Sequence, residues 1–477
     1  MPLAAQFPWS PGNTNALFYS PLLLPSETDP NATGFGQTLN QNGLILAPLN
    51  PFFQALGTNG RTCATCHQPS VSMGISTSTV QQRYTLSQGK DPIFLPVDGA
   101  NCPDAVTSTK FYAISDPNNP HSLLLNRALI RVGLPWPPAG VTPEFYIAGV
   151  WDPTHCELNT NYGLLSKTPT VSVYRRSLMA ANLKFVTTVG PGVTPPGVTL
   201  PVDPYTGKPE SGNIMYDGRE PTLQHQAMDA LLNHSQASSL PNAAIIQEIV
   251  NFENNIYTAQ IFDSQAFGLT DLGATGGPTT LLNDQAGLMA APNAFTEYYP
   301  WSNLPSWAVQ ASQRASVARG EAIFNSRPFI ISGVAGLNDL AGGNFPGNCA
   351  TCHSNTNAGN DVRPNAQLEE GTSGATFSLP APDLPNFLLV CTGGKSTPFN
   401  GSAVWSRDPG LALITGKCAD IGKVKSAQLR GLAARPPYFH DGSAATLKDV
   451  VNFYNARFSI GFSAQDIQDL VNFLQTL

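Results

Sequence analysis

Charge is scarce in this chain. Lys, Arg, Asp and Glu make up only 12% of its 477 residues and the formal net charge is -7, about half the charged share of an ordinary globular protein. No basic cluster interrupts that pattern, so DNA- and RNA-binding functions are excluded. Long apolar runs are missing too: nothing approaches the roughly 18 consecutive apolar residues of a membrane span, and none is expected. Histidine and methionine are few, at seven and six, and no methionine follows Met289. What the chain does have is glycine and proline, 42 of each. That composition describes a loop-rich, weakly charged, exported protein whose length suggests two or three domains, each able to bury a core.

Cysteine is also sparse, at eight residues, yet four of these fall in one pentapeptide that occurs twice: Cys63-Ala64-Thr65-Cys66-His67 and Cys349-Ala350-Thr351-Cys352-His353. Two thiols at i and i+3 followed at once by histidine are what covalent haem attachment needs. Each thiol adds to one vinyl group, and the histidine is held beneath the iron. A zinc site would want a second Cys/His pair close to each motif, and neither has one. The motifs therefore imply two covalently bound c-type haems, attached at Cys63, Cys66, Cys349 and Cys352, with His67 and His353 as proximal metal ligands.

The remaining cysteines are Cys102, Cys156, Cys391 and Cys418. Four thiols allow three connectivities. Cys102 with Cys156 and Cys391 with Cys418 is the pairing expected, since each pair then lies within one haem domain, and each bridge stabilises by about 3.5 to 4 kcal/mol on the chain-entropy model; buried free thiols are the alternative. Disulfides and c-type haem both point to an oxidising compartment. The start, Met1-Pro2-Leu3-Ala4-Ala5-Gln6-Phe7-Pro8, has neither a basic nor an apolar leader region, so it reads as a mature start after a cleaved signal peptide, with a periplasmic or extracellular home.

Along the chain, residues 1–50 carry no sustained helical period and are expected to wrap the surface. Residues 68–167 are broken by proline steps, with a helix only from Leu123 to Val132, and 186–213 read as a long excursion. Thr222 is a plausible N-cap for a helix running to His234, and a second helix buries Ile245, Ile246, Ile249, Phe252 and Ile256. A helix over Val317–Asn325 leads into the second motif; Thr446 opens another carrying Tyr454, and Ser463 a last one. The fold expected is mainly α: two cytochrome c-like helical haem domains, 1–270 and 309–477, with long Pro/Gly-rich loops and a 271–308 linker. Each half follows one plan of entry helix, haem motif, long loop and helix-rich closing segment.

Beyond the haem motifs, Met215-Tyr216-Asp217-Gly218-Arg219 followed by Thr222-Leu223 and Gln226-Ala227, and Leu429-Arg430-Gly431-Leu432 with Pro437-Tyr438-Phe439-His440-Asp441-Gly442-Ser443, resemble segments of the bacterial di-haem cytochrome c peroxidases and their relative MauG. The resemblance implies an N-terminal haem where peroxide reacts and a C-terminal haem that relays electrons. It puts Tyr216 where the family has an aromatic between the haems, and Gln226 on the distal helix. The family's catalytic Glu is replaced by Gln236, and an amide cannot shuttle a proton; His234, two positions earlier, is expected to take over that role or to ligate the iron. Further candidates for the distal position are Met73, His121, His155 and His225. With no methionine after Met289, the second haem lacks a methionine ligand of its own; Tyr454 falls where MauG has a tyrosine, with His440 as the alternative. The family also binds calcium between its domains, but the matching positions are Lys167 and Ser426, and a lysine in place of an oxygen ligand argues against the ion.

The reading is a periplasmic peroxidase-like oxidoreductase with His234, Gln226 and Tyr216 as catalytic residues. It would take peroxide or another small oxidant and exchange electrons with a small redox protein. A di-haem electron carrier, and MauG-like or oxygenase-like oxidation of a protein or organic substrate, are the alternatives.

Overall fold

The computed structural model describes residues 20–477 apart from 109, 189–198, 284–293 and 376. Residues 1–19, which include the expected mature start, and parts of the 186–213 excursion and the 271–308 linker lie outside the described residues.

The expectation of a mainly helical protein is not met. Helix accounts for 31% of the chain and strand for 19%, in several small sheets, so the fold is mixed α and β. The strands come largely from segments read as loops. Thr170-Val171-Ser172-Val173-Tyr174-Arg175-Arg176 pairs antiparallel with Leu129–Pro135, and Ser26–Asn31 and Gly34–Asn40 pair with each other and with Ile256–Asp263. A short period-2 run bounded by turn residues is a strand signal, and these strands are completed by partners distant in the sequence. Two helix boundaries shift as well. The helix begun at Ser122 stops at Arg127, with Ala128 left-handed, and Leu129 opens a strand. Ile256, expected on a helix face, begins a strand after the helix Ala243–Asn254.

The other helices stand as read. Thr222 caps Leu223–Asn233 by accepting from the His225 amide at 3.4 Å, and capping boxes at Thr446 and Ser463 open Leu447–Arg457 and Ala464–Gln475. The second haem motif is preceded by the helix Ala311–Ser326. Among the described residues the first motif has no such entry helix: strands and the 3-10 turn Pro51–Phe53 take its place. Both arrangements set a phenylalanine against the motif's histidine. Phe324 lies 6.0 Å from the His353 ring and Phe52 lies 6.4 Å from that of His67, centroid to centroid.

The halves are joined through strands as well as side chains. Phe145–Trp151 pairs with Asn386–Cys391, which pairs in turn with Ala403–Ser406. Cys102 and Cys156 lie with Cα atoms 5.1 Å apart, and Cys391 and Cys418 with theirs 6.0 Å apart, both at bridging distance. No helix among the described residues is long and apolar enough to cross a membrane.

The second motif rests on the crossing of the entry helix with the last helix. At Gly320 a Cβ would meet the Asp469 carbonyl oxygen at 2.1 Å and the Phe473 Cβ at 2.6 Å, and Phe473 stacks edge-on against Phe295 behind Phe324. Gly320→Ala is expected to lower stability by about 1–3 kcal/mol through overpacking, against a gain of at most about 1 kcal/mol in helix propensity. The midpoint of urea unfolding checks this; an unchanged midpoint would mean that the helices part at no cost.

Candidate functional site

A cavity surrounds each pentapeptide. Cys63, Cys66 and His67 line the N-terminal one, and Cys349, Cys352 and His353 the C-terminal one. Thr62 with Thr65, and Asn348 with Thr351, form reciprocal caps that wind the Cys-Ala-Thr-Cys stretch into a helical turn, which brings residues i and i+3 to one face. All four cysteines are unpaired, whereas the other four stand in two close pairs. Burial pushes the His67 imidazole down to about 4, leaving it neutral at ordinary pH. Its Nδ1 lies 3.3 Å from Ser177 Oγ, and His353 Nδ1 lies 2.6 Å from the Gly359 carbonyl oxygen. A neutral ring held at Nδ1 keeps Nε2 for a metal. Unpaired thiols on one turn, a neutral oriented imidazole and a largely apolar cavity fit a haem.

Of the five distal candidates, only His234 lines the N-terminal cavity. It stands at the C-cap of the Leu223–Asn233 helix with Nδ1 2.9 Å from Asp98 Oδ2. Arg61 Nη1 donates to the same carboxylate oxygen at 2.8 Å and to the His234 carbonyl at 3.0 Å. Burial pulls the His234 imidazole down, but the Asp98 carboxylate more than reverses this and holds it above its ordinary value. Gln226 lines the same cavity, and its side-chain amide has no hydrogen-bond partner among the described residues. His121 is instead buried with Nδ1 2.9 Å from the Gly99 carbonyl, His225 Nε2 is 3.1 Å from Asp203 Oδ1, Met73 is packed in the core and His155 is exposed.

In the C-terminal cavity Tyr454 donates its hydroxyl to Glu370 Oε2 at 2.9 Å. Burial first, and the Glu370 carboxylate next, push that hydroxyl well above the ordinary phenol range, so a phenolate there requires a cation facing it. His440 lines this cavity too, with Nε2 3.4 Å from Asp408 Oδ2. Ser426 lies beside Glu370 while Lys167 is exposed.

The two cavities share a wall. Arg176, Tyr216, Lys425, Ala427, Gln428 and Arg435 line both. Tyr216 is 8% exposed and its ring centroid is 5.8 Å from that of His440. The turn that carries it is anchored at Asp217, which takes Arg175 at 2.5 Å and Arg219 at 3.0 Å, and by the Lys425 amide donating to the Tyr216 carbonyl at 2.8 Å.

No family model matches the chain. Cytochrome-c peroxidase IdrP1 of Denitromonas iodatirespirans is 35% identical over 94 residues, 17% of this chain and 25% of that protein. Cytochrome-c peroxidase IdrP2 of Pseudomonas sp. (strain SCT) is 40% identical over 77 residues, 15% of this chain and 21% of that protein. Over these short stretches the chain is similar to cytochrome-c peroxidases. It spans a quarter or less of the length of these curated relatives. Among solved structures, a MauG-like protein associated with microbial copper homeostasis is similar at 17% identity and a TM-score of 0.33, covering 65% of this chain and 74% of that one. Kuenenia stuttgartiensis hydrazine synthase is similar at 15% and 0.29, covering 64% of this chain and 73% of that one.

Relative to the peroxidase pattern, Gln236 lies beyond the helix end with φ +53°, exposed, accepting from Asn59 Nδ2 at 3.3 Å. It is absent from the cavity wall, and the histidine–carboxylate pair of His234 and Asp98 is there instead. Sequence reasoning missed Asp98, Arg61, Glu370 and Glu253. Asp98 sits in a Pro-Val-Asp-Gly turn with no periodicity to mark it, at φ +67°. Glu253, on the buried face of Ala243–Asn254, lines the N-terminal cavity with Oε2 unpartnered and is pushed up to about 8 by burial.

The His234 contact has a pH signature. Its folded value lies above the unfolded one, so the contact with Asp98 contributes fully below about pH 6.5 and is lost as pH rises through the folded value. The difference in urea midpoint between the wild type and Asp98→Asn should therefore narrow from about pH 5.5 to about pH 8.5, leaving the part due to Arg61. A constant difference over that range would show that His234 does not titrate against Asp98.

Proposed function

We propose that the protein is an exported peroxidase-like oxidoreductase with two covalently attached c-type haems. One unit would span residues 1–270 and the other 309–477, joined by 271–308. The observation that carries this reading is the pair of Cys-Ala-Thr-Cys-His cavities meeting at Tyr216, with a proton-carrying pair in one and a tyrosine in the other. His67 and His353 would hold the irons from below, and Cys63, Cys66, Cys349 and Cys352 would carry the thioether links. The bridges Cys102–Cys156 and Cys391–Cys418 fit a periplasmic or extracellular home.

When bound, the haems supply iron for reaction with peroxide and for storing electrons. The chain's residues do the rest. Asp98 holds the His234 imidazole by Nδ1, so that Nε2 is the atom through which a proton enters or leaves the N-terminal cavity. Splitting the peroxide O–O bond needs a proton removed from one oxygen and delivered to the other, and His234 is placed to do both. Gln226 offers an amide to orient the oxidant. Tyr216, buried between the cavities, offers the route for electrons from the C-terminal side, where Tyr454 would be the second ligand and a small redox protein the donor. The same Tyr454 favours one further reading, MauG-like oxidation of a protein or organic substrate, because an anionic oxygen ligand stabilises oxidised iron.

His234→Ala is expected to lower kcat/KM for peroxide, with a reduced small cytochrome as donor, by about 10²–10⁴-fold. The fully oxidised wild type should show one high-spin and one low-spin signal by electron paramagnetic resonance. Two low-spin signals that persist on half-reduction would replace this reading with an electron carrier.

A further inference from the structure

Most buried arginines of this protein are paired with carboxylates; Arg131, held by Ser172 Oγ and the Tyr162 carbonyl, is not. Arg175 takes Asp217 and Asp408, Arg430 takes Glu297, Arg314 takes Asp271 and Arg83 takes Asp91. The wall shared by the two cavities breaks this pattern. Arg176, 7% exposed, gives Nη1 to the Pro437 carbonyl and Nη2 to that of Ile75 at 2.6 Å, while Nε has no partner. Among the described residues, Arg435 bonds only the carbonyls of Gly431 and Arg430, at 3.3 and 2.7 Å. Lys425, 6% exposed, makes no hydrogen bond through Nζ among the described residues. Asp361, the carboxylate that acts on it, is itself bound by Arg363 at 2.6 Å.

Cations withdrawn from water without counter-charges are costly, and are found paired or bound to a ligand. The strain is visible in their proton affinities. Burial lowers Lys425 to about 7, while burial and then the neighbouring Arg435 lower Arg176 to about 10. Among the described residues the wall therefore lacks anions, and it lacks them at a place that faces both cavities. Each haem carries two propionate carboxylates, the one charged edge of an otherwise apolar ring.

We propose that Arg176, Lys425 and Arg435 form a single cationic seat for the propionates of both haems, which turns their charged edges toward each other at the wall carrying Tyr216. This rests on the reading that both cavities hold haem. The seat joins the cofactors electrostatically: one set of cations offsets the carboxylates of both, so a change at any of the three is felt at both irons. A guanidinium fork can hold a carboxylate through two N–H groups, whereas the ammonium acts as a point charge between two. Tyr216, lying among the three, would share the same field.

The test is a redox titration of the holoprotein, read at both haems, with haem content measured alongside. Lys425→Met and Arg435→Gln should retain two haems per chain and lower both midpoint potentials, because removing a buried cation stabilises the oxidised, more positive iron. Lys425→Arg, which keeps the charge, should restore both. A shift at one haem only, or at neither, with two haems retained, overturns the shared seat. Fewer than two haems in the wild type would instead remove the cofactor reading itself. If the charge-removing variants do not accumulate, the wild type still decides: with haem labelled with carbon-13 at the propionates, redox-difference infrared spectra should show label-sensitive ionised carboxylate bands in both reduction steps. Label-sensitive bands of protonated carboxyls, or bands in one step alone, count against the seat.

Discussion

The junction between the two cavities depends on Arg175. Its guanidinium reaches Asp217 at 2.5 Å and holds Asp408 through two bonds of 2.7 and 2.9 Å, all three groups buried. These contacts tie a strand of the N-terminal half to the turn bearing Tyr216 and to the C-terminal segment after Trp405. Both carboxylates are held below their ordinary range, Asp408 far below it. Removing the arginine would leave two buried carboxylates against each other, the situation in which breaking a buried pair is most destabilising. The positions of Tyr216 and, through Asp408, of His440 follow from this one cation.

The arrangement divides the chemistry by environment. On the N-terminal side a histidine and a carboxylate are kept together, with Arg61 fixing both, so a proton is always near the cavity. On the C-terminal side a buried phenol donates to Glu370. The first environment suits acid and base chemistry, the second a strong oxygen donor to a metal.

Much of this was legible in the residues. The two pentapeptides located both cavities, and the caps at Thr222 and Thr446 placed the helices that carry Gln226, His234 and Tyr454. Spacing and capping are local, so they are readable one turn at a time. The strands escaped because they are short and many are completed by partners far along the chain. Phe145–Trp151, for example, is completed by Asn386–Cys391.

The amino-acid sequence by itself determined the local motifs: thiols at i and i+3, a histidine beside them, and a cap ahead of several helices. The tertiary structure alone decided which charges meet. Asp98 joins His234, Glu370 joins Tyr454, and Arg176, Lys425 and Arg435 gather at one wall without carboxylates. The physical reason is that a covalent motif is specified over a few bonds, whereas an electrostatic site is specified by which surfaces become buried together, and burial is a property of the whole fold.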